Sequence, residues 1–306
     1  MWSGKRYHSL DHYLKQTFGQ KLYKLSLDGG MTCPNRDGKL SFGGCIFCSA
    51  DGSGDFSVPV SAGTDEQINA AKQMVADKYS GNRYIAYFQA YTNTYAPVGR
   101  LRELFEPVIM RDDIAVLDIA TRPDCVEDEK IELIGELAKI KPVWIELGLQ
   151  TSNDKTAGLI NRCYPTEQYD KAVSRLHDAG AVVITHMIVG LPGEERDDML
   201  DTAMHIARCG SDGIKLQLMH ILKGTVLARM YEKGEFDALS EDEYIGLICD
   251  IISVLPENMV IHRLTGDGDR EKLIAPLWSC DKRRILNRIS HELKLRRIIQ
   301  GCAAPV

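Results

Sequence analysis

Short apolar runs alternate with amphipathic stretches along most of the chain. Segments 22–27, 83–91, 114–121, 143–150, 181–190 and 213–221 are runs of the length and composition of buried strands. Between them, 65–81, 97–110, 127–140, 165–180 and 194–210 carry apolar residues at helical spacing. Gly81 and Gly180 are stop signals, and Pro107 is a point where the second helix is expected to kink. A strand–helix unit repeated about six times with short loops predicts a parallel sheet with helices outside it. Right-handed crossovers then allow a doubly wound sheet or a barrel. No GxGxxG or GxxxxGK[ST] follows any strand, so the usual nucleotide-binding signatures of a doubly wound sheet are missing. Polar residues collect near the predicted strand C-termini: Gln89, Thr92, Thr121, Gln150, His186 and His220. In a parallel barrel that end is the active face.

After residue 222 the rhythm changes. Segment 240–255 is a helix with Ser240 as N-cap and Glu243 completing a capping box. Segment 259–269 is a strand running into a Gly/Asp turn, and 280–299 is a helix. The expected organisation is an N-terminal segment (1–20), a barrel (21–222) and a C-terminal α/β extension (223–306) ending in that helix. Its polar face is basic and includes Arg283, Arg284 and Arg288. Such a face is either solvated or a contact surface for nucleic-acid phosphates.

Length and composition change this picture little. The chain has 306 residues, 44% of them hydrophobic, with a net charge of −6. That permits a sizeable core and excludes a chain that is basic throughout, although a local basic patch would suffice for RNA. The first twenty residues contain no apolar signal-peptide core, and no apolar stretch is long enough to span a bilayer. The expectation is a cytoplasmic protein. Six of the nine cysteines are scattered singly, as buried or inert thiols often are.

The remaining three, Cys33, Cys45 and Cys48, sit in a glycine-rich loop after the first strand, with spacing C-x11-C-x2-C. A structural zinc wants four protein ligands, for which His8 and His12 are the nearest sequence candidates. A catalytic zinc with an open position fits the count. A redox pair, Cys45 and Cys48, would leave Cys33 unexplained. A cubane 4Fe–4S cluster held by three thiolates leaves one iron for a chelating small molecule. S-adenosylmethionine could occupy it through its amino and carboxylate groups, and one-electron cleavage then gives a 5′-deoxyadenosyl radical. Gly38, Gly43, Gly44, Gly52 and Gly54 would let the loop wrap such a cluster closely.

Three clustered cysteines on the first βα loop, with an aromatic before the last, resemble the radical S-adenosylmethionine superfamily. The usual CxxxCxxC is replaced here by a long first gap, as in the branch related to the elongator catalytic subunit. "ATRPD" (120–124), "ELGLQTSND" (146–154), "INR" (160–162) and "GLPGE" (190–194) resemble later strand ends of that branch. The strings at 27–56, 87–97, 119–125, 146–151, 222–225 and 262–268 resemble those of a short bacterial family within it. The resemblance implies a partial (β/α)6 parallel barrel, with a 4Fe–4S cluster on Cys33, Cys45 and Cys48 and S-adenosylmethionine as cofactors. It implies that Gln150 and Arg162 contact the methionine carboxylate and ribose, and that His186 sits near the adenosine. Gln89, Thr92 and Asn93 stand where relatives carry a GGE-like amino-group binder, Thr121 lies at the next strand end, and Ala120 replaces a common glutamate.

No acetyltransferase domain of the elongator type fits in 306 residues, so acetyl transfer is not implied. A Gram-positive member of the short family is associated with conversion of 5-carboxymethylaminomethyl-uridine to 5-aminomethyl-uridine at the tRNA wobble position. That implies tRNA as partner and a flavodoxin- or ferredoxin-type electron donor. Arg122 and Arg263 are candidates to hold the substituent's carboxylate, and Arg283, Arg284 and Arg288 to meet tRNA phosphates. The alternatives are a radical enzyme with another substrate, a zinc-stapled RNA-binding module and a thiol-redox protein.

Overall fold

The computed structural model describes residues 1–49, 63–266 and 268–304. Gly52 and Gly54 of the cysteine loop therefore lie outside the described residues. Nine strands and ten helices are found among the described residues. In chain order they are α1 (Leu10–Phe18), β1 (Tyr23–Leu27), α2 (Thr64–Val75), β2 (Tyr84–Phe88), α3 (Val98–Ile109), β3 (Ile114–Thr121), α4 (Asp128–Ala138), β4 (Val143–Gln150), α5 (Asp154–Leu159) and α6 (Thr166–Asp178). There follow β5 (Val182–Val189), α7 (Arg196–Arg208), β6 (Gly213–Leu218), β7 (Ile221–Leu222), α8 (Val226–Glu232), α9 (Glu241–Val254), β8 (Val260–Arg263), β9 (Leu273–Ala275) and α10 (Lys282–Leu295).

Seven strands form one parallel sheet in the order β1-β2-β3-β4-β5-β6-β8. Among the described residues nothing pairs β1 with β8, so the sheet is a curled half-barrel rather than a closed one. The expected parallel partial barrel is present, and the C-terminal segment adds its seventh strand. β8 pairs with β6 from Gly213↔Val260 onward. A separate antiparallel pair, β7 with β9, lies beside it.

Side chains alternate across a strand, and here the two faces differ in kind. Leu25, Phe88, Leu117, Ile145, Val183 and Leu216 face the helices and pack in the large core. The alternate residues face the inside of the half-barrel. Its N-terminal end is closed by an apolar floor of Leu22, Ile85, Val116, Trp144 and Ile184, onto which α1 lays Leu14. α1 was not apparent in the sequence because its polar face dominates a nine-residue segment; Ser9 caps it by accepting from the His12 amide at 3.4 Å. α3 continues through Pro107 and ends at Ile109. α2 stops at Val75, short of Gly81. The predicted capping box of α9 forms: the Ser240 amide donates to Glu243 at 2.8 Å, and the Glu243 amide donates to the Ser240 hydroxyl at 3.3 Å. None of the described helices is long and apolar enough to cross a membrane.

Candidate active site

The cysteine loop leaves β1 at the C-terminal edge of the sheet. Gly29 passes so close to the turn after β2 and to α3 that a Cβ there would lie 3.0 Å from Asn93 Oδ1 and 3.1 Å from Leu104. The loop is then pinned by its own turns and by the segment after α5. The Arg36 amide donates to the Cys33 carbonyl at 2.8 Å, and the Cys48 amide to the Cys45 carbonyl at 3.0 Å. Asn35 is fully buried; its amide nitrogen donates to the Asn161 carbonyl at 2.5 Å and lies 3.7 Å from Cys45 Sγ. Asn161, in the left-handed region at φ 56°, donates back to the Gly44 carbonyl at 2.9 Å.

Cys33, Cys45 and Cys48 are free, half-buried thiols. A hydrogen bond between Cys45 and Cys48 raises the first thiol well above its ordinary pKa and lowers the second; burial adds to the rise at Cys45 and opposes the fall at Cys48. The charges of Arg122, acting on Cys45, and Arg36, acting on Cys48, favour thiolates. Three thiolates on one zinc at about 2.3 Å would sit about 3.8 Å apart. The three sulfurs are not a trio within 4.8 Å; among the described residues that separation is met by Asp170, His205 and Cys209 on the outer helices. Three thiols flanked by the charges of Arg36 and Arg122 suit a thiolate-held iron–sulfur centre. His8 and His12, the sequence candidates for a fourth zinc ligand, are at the other end of the barrel. His8 stacks on Trp2, and its carbonyl accepts from the Ile261 amide at 2.7 Å.

Several expected ligand contacts are taken up by the scaffold. Arg162 is fully buried, and its guanidinium donates to the carbonyls of Tyr164 (3.0 Å), Leu149 (3.0 Å) and Thr151 (2.5 Å), to Asp154 (2.9 Å) and to Thr166 (3.0 Å). These five bonds use its five donors, so here it is a clamp joining the β4 end to α5 and α6. Arg162→Lys keeps the charge but loses the fork. We expect a loss of about 1–3 kcal/mol, read as a lowered melting temperature of the cluster-free protein. Asn93 is also fully buried and donates to the carbonyls of Phe88, Ala90 and Ala120 at 3.0–3.2 Å. Thr121 shares a 2.5 Å hydrogen bond with Thr94, and the Thr92 amide donates to the Thr32 carbonyl. These residues knit the turn after β2 to its neighbours. Gln89 and Gln150 differ: both are half-buried, without a side-chain hydrogen bond among the described residues. Gln150 is held at φ 66°.

Arg122 forks onto Asp124 at 2.8 and 2.7 Å and donates to the Arg162 carbonyl at 3.0 Å, so it is committed to the wall beside the thiols. Arg263 is half-buried on β8 and reaches the barrel interior electrostatically, acting on Tyr87, His186 and Lys215. On α10, Arg284 pairs with Glu241 at 2.6 Å, while Arg288 pairs with Glu241 at 2.8 Å and Asp242 at 2.6 Å. The basic face is therefore partly neutralised by α9. Arg283 lines a shallow cleft with Arg284, Arg288 and His291.

Above the apolar floor lies a layer of charge. Glu146 on β4 accepts from Lys24 of β1 at 2.7 Å, from His186 of β5 at 2.8 Å and from Lys215 of β6. Lys24 also pairs with Asp118 of β3, and Lys215 donates to the Tyr87 hydroxyl at 3.3 Å. Both ammonium groups lie over the Tyr87 ring, 4.4 and 4.5 Å from its centroid. Glu146 is held well below its usual range because the attraction of Lys215, Lys24 and His186 outweighs the opposing effect of burial. Burial and the Glu146 charge push Asp118 up to about 7, and burial brings Lys215 down to about 7. Asp118 Oδ1 is buried without a partner. His186 is thus mid-strand, in this layer, and not at the strand end. Of the charged and imidazole groups Lys24, Asp118, Glu146, His186 and Lys215, His186 alone is singled out by the sequence. The missed signal is one charged residue inside each of four apolar strands: Lys24, Asp118, Glu146 and Lys215.

The model of the Radical SAM superfamily matches residues 33–206, and that of the Radical_SAM C-terminal domain matches 211–295. The chain is 46% identical to the uncharacterized protein YtqA of Bacillus subtilis over 97% of its own length and 92% of that protein's. It is 29% identical to a tRNA uridine(34) acetyltransferase of Methanocaldococcus jannaschii over 49% of this chain and 28% of that one. In fold it is similar to the archaeal Methanocaldococcus infernus Elp3 lacking its N-terminus, with a TM-score of 0.68 at 16% identity, covering 91% of this chain and 64% of that one. With its half-barrel, its thiol loop and these matches, the chain belongs to the radical SAM superfamily, whose members use a 4Fe–4S cluster and S-adenosylmethionine.

Proposed function

We propose that this radical SAM enzyme acts on the tRNA wobble uridine, converting 5-carboxymethylaminomethyl-uridine to 5-aminomethyl-uridine. The observation that carries the reading is the charge of the barrel interior. Lys24, Lys215 and Arg263 outnumber Asp118 and Glu146, and such a pocket suits a substituent ending in a carboxylate. The name of the tRNA uridine(34) acetyltransferase relative supports the choice of RNA.

Cys33, Cys45 and Cys48 would hold the cluster. Gln89 and Gln150 are assigned to the amino and carboxylate ends of S-adenosylmethionine. When bound, the pair supplies a 5′-deoxyadenosyl radical. Arg263, half-buried at the inner face, is the residue assigned to the substrate carboxylate, since Arg122 is already forked onto Asp124. The apolar floor of Trp144, Ile184 and Leu14 keeps water from entering behind the substrate. In balance, S-adenosylmethionine, substrate and water give methionine, 5′-deoxyadenosine, the aminomethyl product, glyoxylate and a proton. The two electrons removed at the glycyl carbon are those required to cleave S-adenosylmethionine reductively. A flavodoxin- or ferredoxin-type donor would start the reaction. The neutralised arginines of α10 favour a modest role for that helix in tRNA binding.

The test is nucleoside analysis of tRNA bearing 5-carboxymethylaminomethyl-uridine after anaerobic incubation with reconstituted enzyme, S-adenosylmethionine and dithionite. The reading predicts 5-aminomethyl-uridine and one glyoxylate per nucleoside converted. An intact substituent, with S-adenosylmethionine cleaved, would move the enzyme to another substrate.

A further inference from the structure

The charged layer contains a group with the geometry of a base. His186 Nε2 lies 2.8 Å from Glu146 Oε2. Glu146 also accepts from Lys24 and Lys215, so it is ionised and has no proton to give. The His186 proton must then be on Nε2, leaving Nδ1 as a lone pair. No described residue hydrogen-bonds Nδ1. The alternatives in the layer are less suited. Asp118 and Glu146 side chains are 0% exposed and Lys215 is 6% exposed, whereas His186 is 25% exposed on the inner face. Lys24 is about as exposed as His186 but is ion-paired to two carboxylates, whose attraction raises its pKa against the effect of burial.

We propose that His186 is the general base of this site, taking the proton of the substrate's secondary amine, and that Glu146 is the positioning residue fixing its tautomer. This rests on the wobble-uridine reading. A secondary alkylamine is largely an ammonium at neutral pH and has no lone pair to stabilise a radical on the adjoining carbon. The N–H bond breaks first, and its proton goes to Nδ1. The bound cofactor pair would supply the acceptor for the C–H hydrogen atom and one further electron, and their loss would leave C=N. Water adds, the C–N bond breaks, and the primary amine leaves with a proton returned from the imidazolium.

The surroundings keep the base in its working form. Burial and the Lys215 charge lower the His186 pKa below its ordinary value, against the opposing pull of Glu146, and Arg263 adds to the lowering. Tyr87, Asp118, Lys24 and His262 complete the titratable groups of the layer. The lowering favours the neutral imidazole.

Two measurements test this. In the cluster-free protein labelled with ¹⁵N-histidine, the His186 ring should be an Nε2–H tautomer that protonates below pH 6.5, and Glu146→Gln should release that preference. A ring protonated on Nδ1, or charged at pH 7, would overturn the proposal whatever the enzyme's substrate. In the loaded enzyme, His186→Gln should slow amine formation at pH 7 about 10²-fold. The rate should climb as pH approaches the amine's own pKa, and added imidazole should restore part of it. An unchanged pH profile, with S-adenosylmethionine KM raised and its cleavage slowed in parallel, would instead make His186 an adenosine contact. Failure of the wild-type protein to convert the nucleoside would remove the wobble-uridine reading and leave the ring measurement to decide the state of His186.

Discussion

Replacing any one of Cys33, Cys45 or Cys48 by alanine is expected to reduce S-adenosylmethionine cleavage to background and to lower bound iron. The physical reason is the count. Three thiolates are the fewest that can hold a cubane while leaving one iron free, so removing one leaves two irons without protein ligands. The loop has no substitute nearby. Cys163 is exposed at φ 65°, with its thiol 3.1 Å from the Asn161 side chain, and Cys125 is buried behind Arg122 with its thiol pushed up to about 12. Cys302 is exposed near the C-terminus. Cys163→Ala and Cys302→Ala should therefore keep wild-type iron and cleavage. Iron and sulfide analysis with the cluster's electron paramagnetic resonance signal checks both sets. A Cys33→Ala protein with full iron and full cleavage would reassign the centre.

Glu146→Leu is expected to be the most destabilising single change in the barrel. Glu146 is fully buried and is the common partner of Lys24, Lys215 and His186. Its removal leaves two ammonium groups in a low-dielectric interior, with only the partly protonated Asp118 beside them. Breaking a buried ion pair from one side costs about 3–5 kcal/mol. Replacing the network as a whole, with Lys24→Met, Asp118→Leu, Glu146→Leu and Lys215→Met, should recover most of that loss, because apolar residues of similar volume avoid the desolvation cost. Thermal melts of the cluster-free proteins test both statements. If the fourfold variant is as stable as wild type yet inactive, the network is retained for chemistry. If the single variant melts with the wild type, the layer is hydrated and the account of its charges is wrong.

Much of the architecture was legible because its signals are local. β3, β4, β5 and β6 are eight-, eight-, eight- and six-residue runs whose outward faces are almost wholly aliphatic. The capping box at Ser240 and Glu243 set the start of α9. The thiol trio was visible as spacing in a glycine-rich loop. What stayed hidden depends on registers between distant strands. Lys24 and Glu146 are 122 residues apart and meet because the parallel sheet brings their strands to the same level. A lone charge in one apolar strand gives no sign of its partner in another. The hydrogen bonds of Arg162 and Asn93 to carbonyls were hidden for the converse reason: a polar loop residue has the same sequence appearance whether it faces a ligand or ties off carbonyls. α1 was likewise a short segment fixed by packing on the barrel floor, and the strand expected at 259–269 gave no sign that it would join the main sheet beside β6.

The most direct test is to reconstitute the wild-type protein anaerobically with iron and sulfide, add dithionite and S-adenosylmethionine, and measure 5′-deoxyadenosine. The account predicts a protein carrying about four irons and four sulfides, with 5′-deoxyadenosine and methionine formed in equal amounts. A protein that binds one zinc at Cys33, Cys45 and Cys48, takes up no iron and leaves S-adenosylmethionine intact would contradict it.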